Sequence, residues 1–145
     1  EILKMDLSQS KYFTKEEFKE FNPHPFLLQL LEAVRRELGR PVVLTSLGRT
    51  FKEHINIYKE IYGDNWSNKL VANSRHLPSW ETSFLRAVDF KVIKEDKSLF
   101  TGAEIKAALC EVSNKLTWIN VGIGVADYWC HIDIDRTKRE TIWYY

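Results

Sequence analysis

The sequence predicts a single α+β domain with a mainly antiparallel sheet flanked by helices. Three observations lead there. Helical periodicity dominates the first forty or so residues, strand-like runs then interleave with helical ones, and three of the helix starts carry a capping box. At 145 residues the chain suits one compact domain with its own core, spanning 1–145. Residues 1–11 carry little periodicity and read as an N-terminal arm.

The first capping box is Thr14-Lys15-Glu16-Glu17, whose Thr and Glu17 side chains satisfy free amides at a helix start. That helix should end near Phe21, because Asn22-Pro23-His24-Pro25 cannot continue it. Pro25 suits the first position of a second helix. Phe26, Leu27, Leu30, Leu31, Val34 and Leu38 form its buried face, and Gly39 its stop. Residues 41–46 read as a buried strand. Thr50-Phe51-Lys52-Glu53 opens a third helix, through His54, Asn56, Tyr58 and Tyr62, with a stop at Gly63. Residues 63–83 are polar and read as a long surface connection, a kind of loop that is often functional.

Residues 84–93 read as a strand with unlike faces. Phe84, Val88, Phe90 and Val92 lie on one side, and Asp89 lies on the other beside the small Ala87. Thr101-Gly102-Ala103-Glu104 opens a helix through Ile105, Leu109, Val112 and Leu116. Residues 118–125 form a strand-like run broken by Gly122 and Gly124. Residues 128–135 give the next strand, and 141–145 a last one.

Composition narrows the function classes. The chain is 44% hydrophobic and 28% charged, with five Trp, six Tyr and eight Phe, which is globular and argues against disorder. A net charge of +1 supplies no field to steer it onto nucleic acid or an anionic membrane. Cys110 and Cys130 are too few for a disulfide scaffold and the wrong set for a Cys-rich zinc module, and a single bridge between them stays open. No apolar run approaches the ~18 residues that span a bilayer, and no signal-peptide pattern is visible.

Chemistry concentrates on two stretches. In the strand 128–135, Cys130, Ile132 and Ile134 share one face, while Trp129, His131, Asp133 and Asp135 share the other. A face with one histidine and two carboxylates is expensive to bury unless the groups pair, and it costs nothing if it looks at solvent. Both readings stand from the sequence. Upstream, His76 sits in the polar connection, and Asp89 needs a partner inside its apolar run. Two histidines and one carboxylate with an open fourth position make the ligand set of a catalytic zinc site. Metal ligation by His76, Asp89 and His131 gives all three groups one explanation.

These residues fall in an order that resembles a family. Ser74-x-His76, then Ala87-x-Asp89, then His131-x-Asp133 is similar to the zinc D-alanyl-D-alanine carboxypeptidases and their Hedgehog-like and phage-endolysin relatives. Thr45-Ser46-Leu47-Gly48-Arg49-Thr50 resembles the family's Ser-Gly-Tyr-Arg-like turn, with His54-Ile55-Asn56 after it. Tyr12-Phe13-Thr14-Lys15-Glu16-Glu17-Phe18 and Gly122-Ile123-Gly124-Val125 are similar to its opening and late segments.

The resemblance implies a Hedgehog/DD-peptidase-like fold and a zinc peptidase acting on bacterial cell-wall stem peptides. His76, Asp89 and His131 match the zinc ligands. Arg49 matches the arginine that holds the substrate's carbonyl or carboxylate end, and Ser74 a serine near the substrate. Trp129 is a candidate to pack beside the substrate. The family's general base lies shortly before the last histidine. Tyr128 occupies the usual position, so Asp127 is the candidate, on the same parity as His131 if the strand extends that far. Glu81 and Asp133 are the alternatives. His131-Ile132-Asp133 stands where many relatives carry His-x-His, and Asp133 is then a candidate to orient a ligand. The interval from His76 to Asp89 is 89 − 76 = 13 positions, longer than the family's, with residues 78–83 looking like an insertion. The expected protein is a monomer with one bound zinc; its compartment stays open, and a bacterial cell envelope or a phage lytic system would suit the resemblance. The alternative is a non-catalytic member of the same fold that binds metal, cell wall or protein.

Overall fold

Phe18, Leu27, Leu30, Leu31, Val34, Phe90, Leu109, Ile123 and Ile132 meet in one buried core, drawn from both halves of the chain. The computed structural model describes residues 6–48, 51–70, 77, 84–134 and 136–145. Its helices are α1 (Lys15–Phe18), α2 (Pro25–Leu38), α3 (Phe51–Tyr62), α4 (Trp66–Lys69) and α5 (Gly102–Lys115). Its strands are β1 (Val42–Ser46), β2 (Ala87–Val92), β3 (Val121–Val125), β4 (Cys130–Asp133) and β5 (Glu140–Tyr144). The domain is α+β, with the long helices α2 and α5 packed together and the core between them and the sheet.

The sheet is five-stranded, in the order β1-β2-β4-β3-β5. The ladders β1–β2, β2–β4 and β3–β4 are antiparallel, whereas β3–β5 is parallel. The sheet is therefore mixed. The chain leaves β4, crosses the start of β3 and enters β5 on its far side. Arg139 holds this crossover by donating to the carbonyls of Ile119 (2.7 Å) and Ser113 (2.9 Å), and the Asn120 amide donates to the carbonyl of Arg136 (2.8 Å).

Local chemistry sets the helix ends. The His24 ring accepts from the Phe26 amide, Pro25 takes the first turn of α2, and Gly39 closes it at φ +64. The Thr101 and Glu104 side chains form the expected capping box of α5. Helix α1 stops earlier than Phe21, because Lys19 adopts φ +54. The connection after α3 is more ordered at its start than its polarity suggests, with a 3-10 turn at Gly63–Asn65 and then α4. The arm expected over 1–11 is tied down at its far end: the buried Glu32 carboxylate accepts from the Ser10 hydroxyl (3.1 Å) and the Lys11 amide (2.7 Å).

Two expectations for β3 and β4 need correction. Gly122 and Gly124 do not break a strand; both lie inside β3, paired with β4 on one side and β5 on the other. Strand β4 covers only Cys130–Asp133, because the Ala126 amide donates to the Trp129 carbonyl and makes a tight turn of the residues before it. Both cysteines are free thiols. Cys130 is buried, and burial pushes its thiol up to about 12. Among the described residues no helix is long and apolar enough to cross a membrane.

Gly102 marks the point where α5 meets that turn. Its amide donates to the Asp127 carbonyl (2.8 Å), and an added Cβ would overlap the Ala126 carbonyl. In an open helix Gly→Ala stabilises by roughly 0.5–1 kcal/mol. Here Gly102→Ala should instead destabilise, by about 1–3 kcal/mol as overpacking does, read from the midpoint of urea unfolding. A neutral or stabilised variant would contradict the close approach.

Candidate functional site

Side chains directly opposite each other across a sheet share a face. Reading the register straight across gives one row: Ser46, Asp89, His131, Gly124, Trp143. The next row holds Ala87, Asp133, Gly122 and Thr141. The apolar faces of β2 and β4 turn the other way, into the helix-packed core. Period-two alternation in two strands thus brings Asp89, His131 and Asp133 together. The register of β1 shifts between Leu44 and Ser46, so a bulge lies beside Asp89.

His131 and Asp133 are buried, Asp89 is half-buried, and the three pair. His131 is 7% exposed and Asp133 is 1% exposed, which removes the solvent-facing reading of this strand. His131 Nδ1 lies 2.8 Å from Asp89 Oδ1, and Nε2 lies 2.8 Å from Asp133 Oδ2. A carboxylate at each nitrogen favours the charged imidazole, the form that can donate at both. Arg136 closes the far side of Asp133 with a two-point fork, Nε to Oδ1 and Nη2 to Oδ2, each 2.6 Å. The order Asp89, His131, Asp133, Arg136 alternates in charge.

Burial works against the charged imidazole, but the Asp133 and Asp89 carboxylates outweigh it and raise His131 above its ordinary value. Burial likewise pushes the Asp133 carboxyl up, and Arg136 followed by His131 pulls it below the ordinary carboxylate range. Aromatic rings wall the network. Trp143 lies 5.4 Å from the His131 ring, and the Arg136 guanidinium lies 5.0 Å from the Trp143 ring. Gly124 makes this reach possible: a Cβ there would meet Trp143 Nε1 and Tyr145 Oη at 2.8 Å.

Asp89 borders a cleft of about 330 Å³, which it lines with Thr45, Lys91, Leu99, Tyr128 and Trp129. The Trp129 ring stacks on Tyr145 at 5.1 Å. Asp127 is not carried to His131 by strand parity, since it lies in the exposed turn before β4. It lines a separate cleft of about 500 Å³ with Thr101, Tyr144 and Tyr145, and Tyr128 borders both clefts. Arg49, Ser74, His76 and Glu81 lie outside the described residues.

No protein-family model, curated protein or solved structure matches this chain. The site has to be read from its own chemistry. Among the described residues no group of three or more His, Cys, Asp and Glu side chains is arranged to hold a metal. Asp89 Oδ1 and His131 Nδ1 nevertheless form an oxygen–nitrogen pair of the kind zinc takes, and Asp89 lines a cleft. The second nitrogen of His131 rests on a carboxylate, as metal-binding histidines do. These are two donors of a type zinc takes, and His76, the third expected one, lies outside the described residues.

Arg136, Trp143 and the two glycines were not singled out as site residues from the sequence. A sequence signal existed for Arg136, an arginine three positions after a strand carboxylate. Trp143 had none, because its reach depends on a parallel pairing that local pattern cannot reveal.

The pKa directions fix a pH window for the metal-free protein. A depressed carboxylate contributes stability above its unfolded value and loses it as pH falls through the folded one. A raised histidine contributes fully below its unfolded value and loses it as pH rises through the folded one. The network's contribution is therefore full between the ordinary Asp and His values, roughly pH 4 to 6.5. In the presence of chelator, Asp133→Asn should lose about 3 kcal/mol in that window by chemical unfolding. The deficit should narrow on both sides, and a pH-independent deficit would contradict the ionic pairing.

Proposed function

We propose that the protein is a zinc-dependent peptidase acting on stem peptides of the bacterial cell wall, with a Hedgehog/DD-peptidase-like fold. One observation carries the metal half of this reading. Asp89, which lines a cleft, faces buried His131 Nδ1 through Oδ1 at 2.8 Å, while the other nitrogen of His131 is held by Asp133. The peptidase half rests on the motif order Ser74-x-His76, Ala87-x-Asp89 and His131-x-Asp133.

In this reading Asp89 and His131 are two of the protein's zinc donors, and His76 supplies the third. A zinc ion held there supplies Lewis acidity toward a scissile carbonyl and a water molecule. Asp127 takes the water's proton and passes it to the leaving amine. Asp127 lines the neighbouring cleft, which shares Tyr128 with the one lined by Asp89. Arg49 holds the substrate's carbonyl or carboxylate end, Ser74 positions the peptide by hydrogen bonding, and Trp129 packs beside it in the cleft lined by Asp89.

A second reading has its own support. The alternation Asp89, His131, Asp133, Arg136 already balances its charges, as a structural ion network in a non-catalytic member of the fold would.

Zinc titration followed by hydrolysis assays separates them. The peptidase reading expects about one zinc per chain, loss of binding in Asp89→Ala and His131→Ala, and zinc-dependent cleavage of muropeptides. Asp127→Ala should keep the zinc and lose at least 100-fold in rate, the lower end for a general base. No zinc uptake would sink the proposal. Zinc uptake with no cleavage of any stem peptide would favour the non-catalytic reading.

A further inference from the structure

We infer that Arg136 is a positioning residue for His131, acting through Asp133 and resting on the metal-site reading above. Arg136 has no direct contact with His131 in the hydrogen-bond chain, and three observations connect them. First, the guanidinium holds both oxygens of Asp133, Nε on Oδ1 and Nη2 on Oδ2, each at 2.6 Å. A two-point fork fixes the plane of a carboxylate, whereas a single donor leaves it free to swing about that one bond. Second, the Oδ2 gripped by Nη2 is the same oxygen that faces His131 Nε2 at 2.8 Å. Rotating the carboxylate breaks both Arg136 contacts and the His131 contact at once. Third, one indole backs both ends of the chain: Trp143 lies 5.4 Å from the His131 ring and 5.0 Å from the Arg136 guanidinium.

The backbone is shaped to let this happen. Gly122 is opposite Asp133 in the ladder, and an added Cβ would come within 2.6 Å of Arg136 Nε and closer still to Asp133 Oδ1. A side chain there would push the fork apart. Glycine in the interior of a strand weakens it and often marks a close approach by another group, and here the approaching group is the Asp133–Arg136 pair.

The consequence falls on Nδ1. An imidazole ring held at Nε2 presents its other nitrogen in one direction, toward Asp89. If the ring swings, Nδ1 leaves Asp89, the residue that lines the cleft. Arg136 thus aims the donor without touching metal or substrate.

Two measurements test this apart from activity. The first is zinc affinity by competition with a chromophoric chelator, together with the visible spectrum of the cobalt-substituted protein, on variants verified as folded at the assay temperature. Arg136→Gln should weaken zinc 10- to 100-fold, the range for outer-shell partners, and alter the cobalt bands. Arg136→Lys keeps the charge but loses the fork, and should still weaken zinc several-fold. Gly122→Ala should act in the same direction. The second is the ¹⁵N–¹H spectrum of the His131 imidazole in the metal-free protein, which should shift and broaden in Arg136→Gln. If that variant does not fold, Arg136→Lys carries both readouts. Wild-type protein that takes up no zinc would defeat the metal-site reading, and the imidazole spectrum would then decide the positioning role alone. Unchanged imidazole signals, or unchanged zinc affinity and cobalt bands in a folded variant, would overturn it.

Discussion

A buried imidazole held between two carboxylates is the constraint around which the open face of this sheet is built. His131 is nearly inaccessible, and burial alone disfavours its charged form. Asp89 and Asp133 approach its two nitrogens at 2.8 Å each and favour that form, and Arg136 holds the other side of Asp133. Buried ion pairs stabilise only when their geometry is good and the remaining polar atoms find partners. Much of the fold around the row reads as the means of meeting that condition.

The antiparallel ladders place Asp89 opposite His131 and Ala87 opposite Asp133, so the small side chain leaves room where the large ones crowd. The two glycines of β3 clear the other side, Gly122 for the Asp133–Arg136 fork and Gly124 for the indole of Trp143. The parallel placement of β5 beside β3 then brings Trp143 into the row with Gly124 and His131. Arg139 and Asn120 hold the crossover that makes this pairing, so residues far from the row set one of its walls.

Much of this was legible from local pattern. Capping boxes and the Pro25 to Gly39 span gave α2 and α5 to within a residue or two, because caps and period-3.6 faces are local physics. Period-two alternation correctly put His131 and Asp133 on one face and Cys130 and Ile132 on the other. It could not say whether that face met water or partners, since the answer lies in Arg136 and in strands distant along the chain. Gly122 and Gly124 looked like breaks because glycine lowers strand propensity; only the cross-strand neighbours reveal what their missing side chains make room for. Strand parity was extended too far toward Asp127, where a tight turn ends it. The mainly antiparallel sheet was legible, but its one parallel pairing was not, as the run at β5 reads alike in parallel and antiparallel pairings.

The claim that this row is a metal site turns on Asp89 Oδ1 and His131 Nδ1 parting to share an ion. Anomalous diffraction at the zinc edge, from crystals equilibrated with zinc, tests it directly. The account expects a single strong peak between those two atoms, with His131 Nε2 still resting on Asp133 and Asp133 still gripped by Arg136. A zinc-saturated crystal with no peak there, and with Nδ1 still on Asp89, would contradict it.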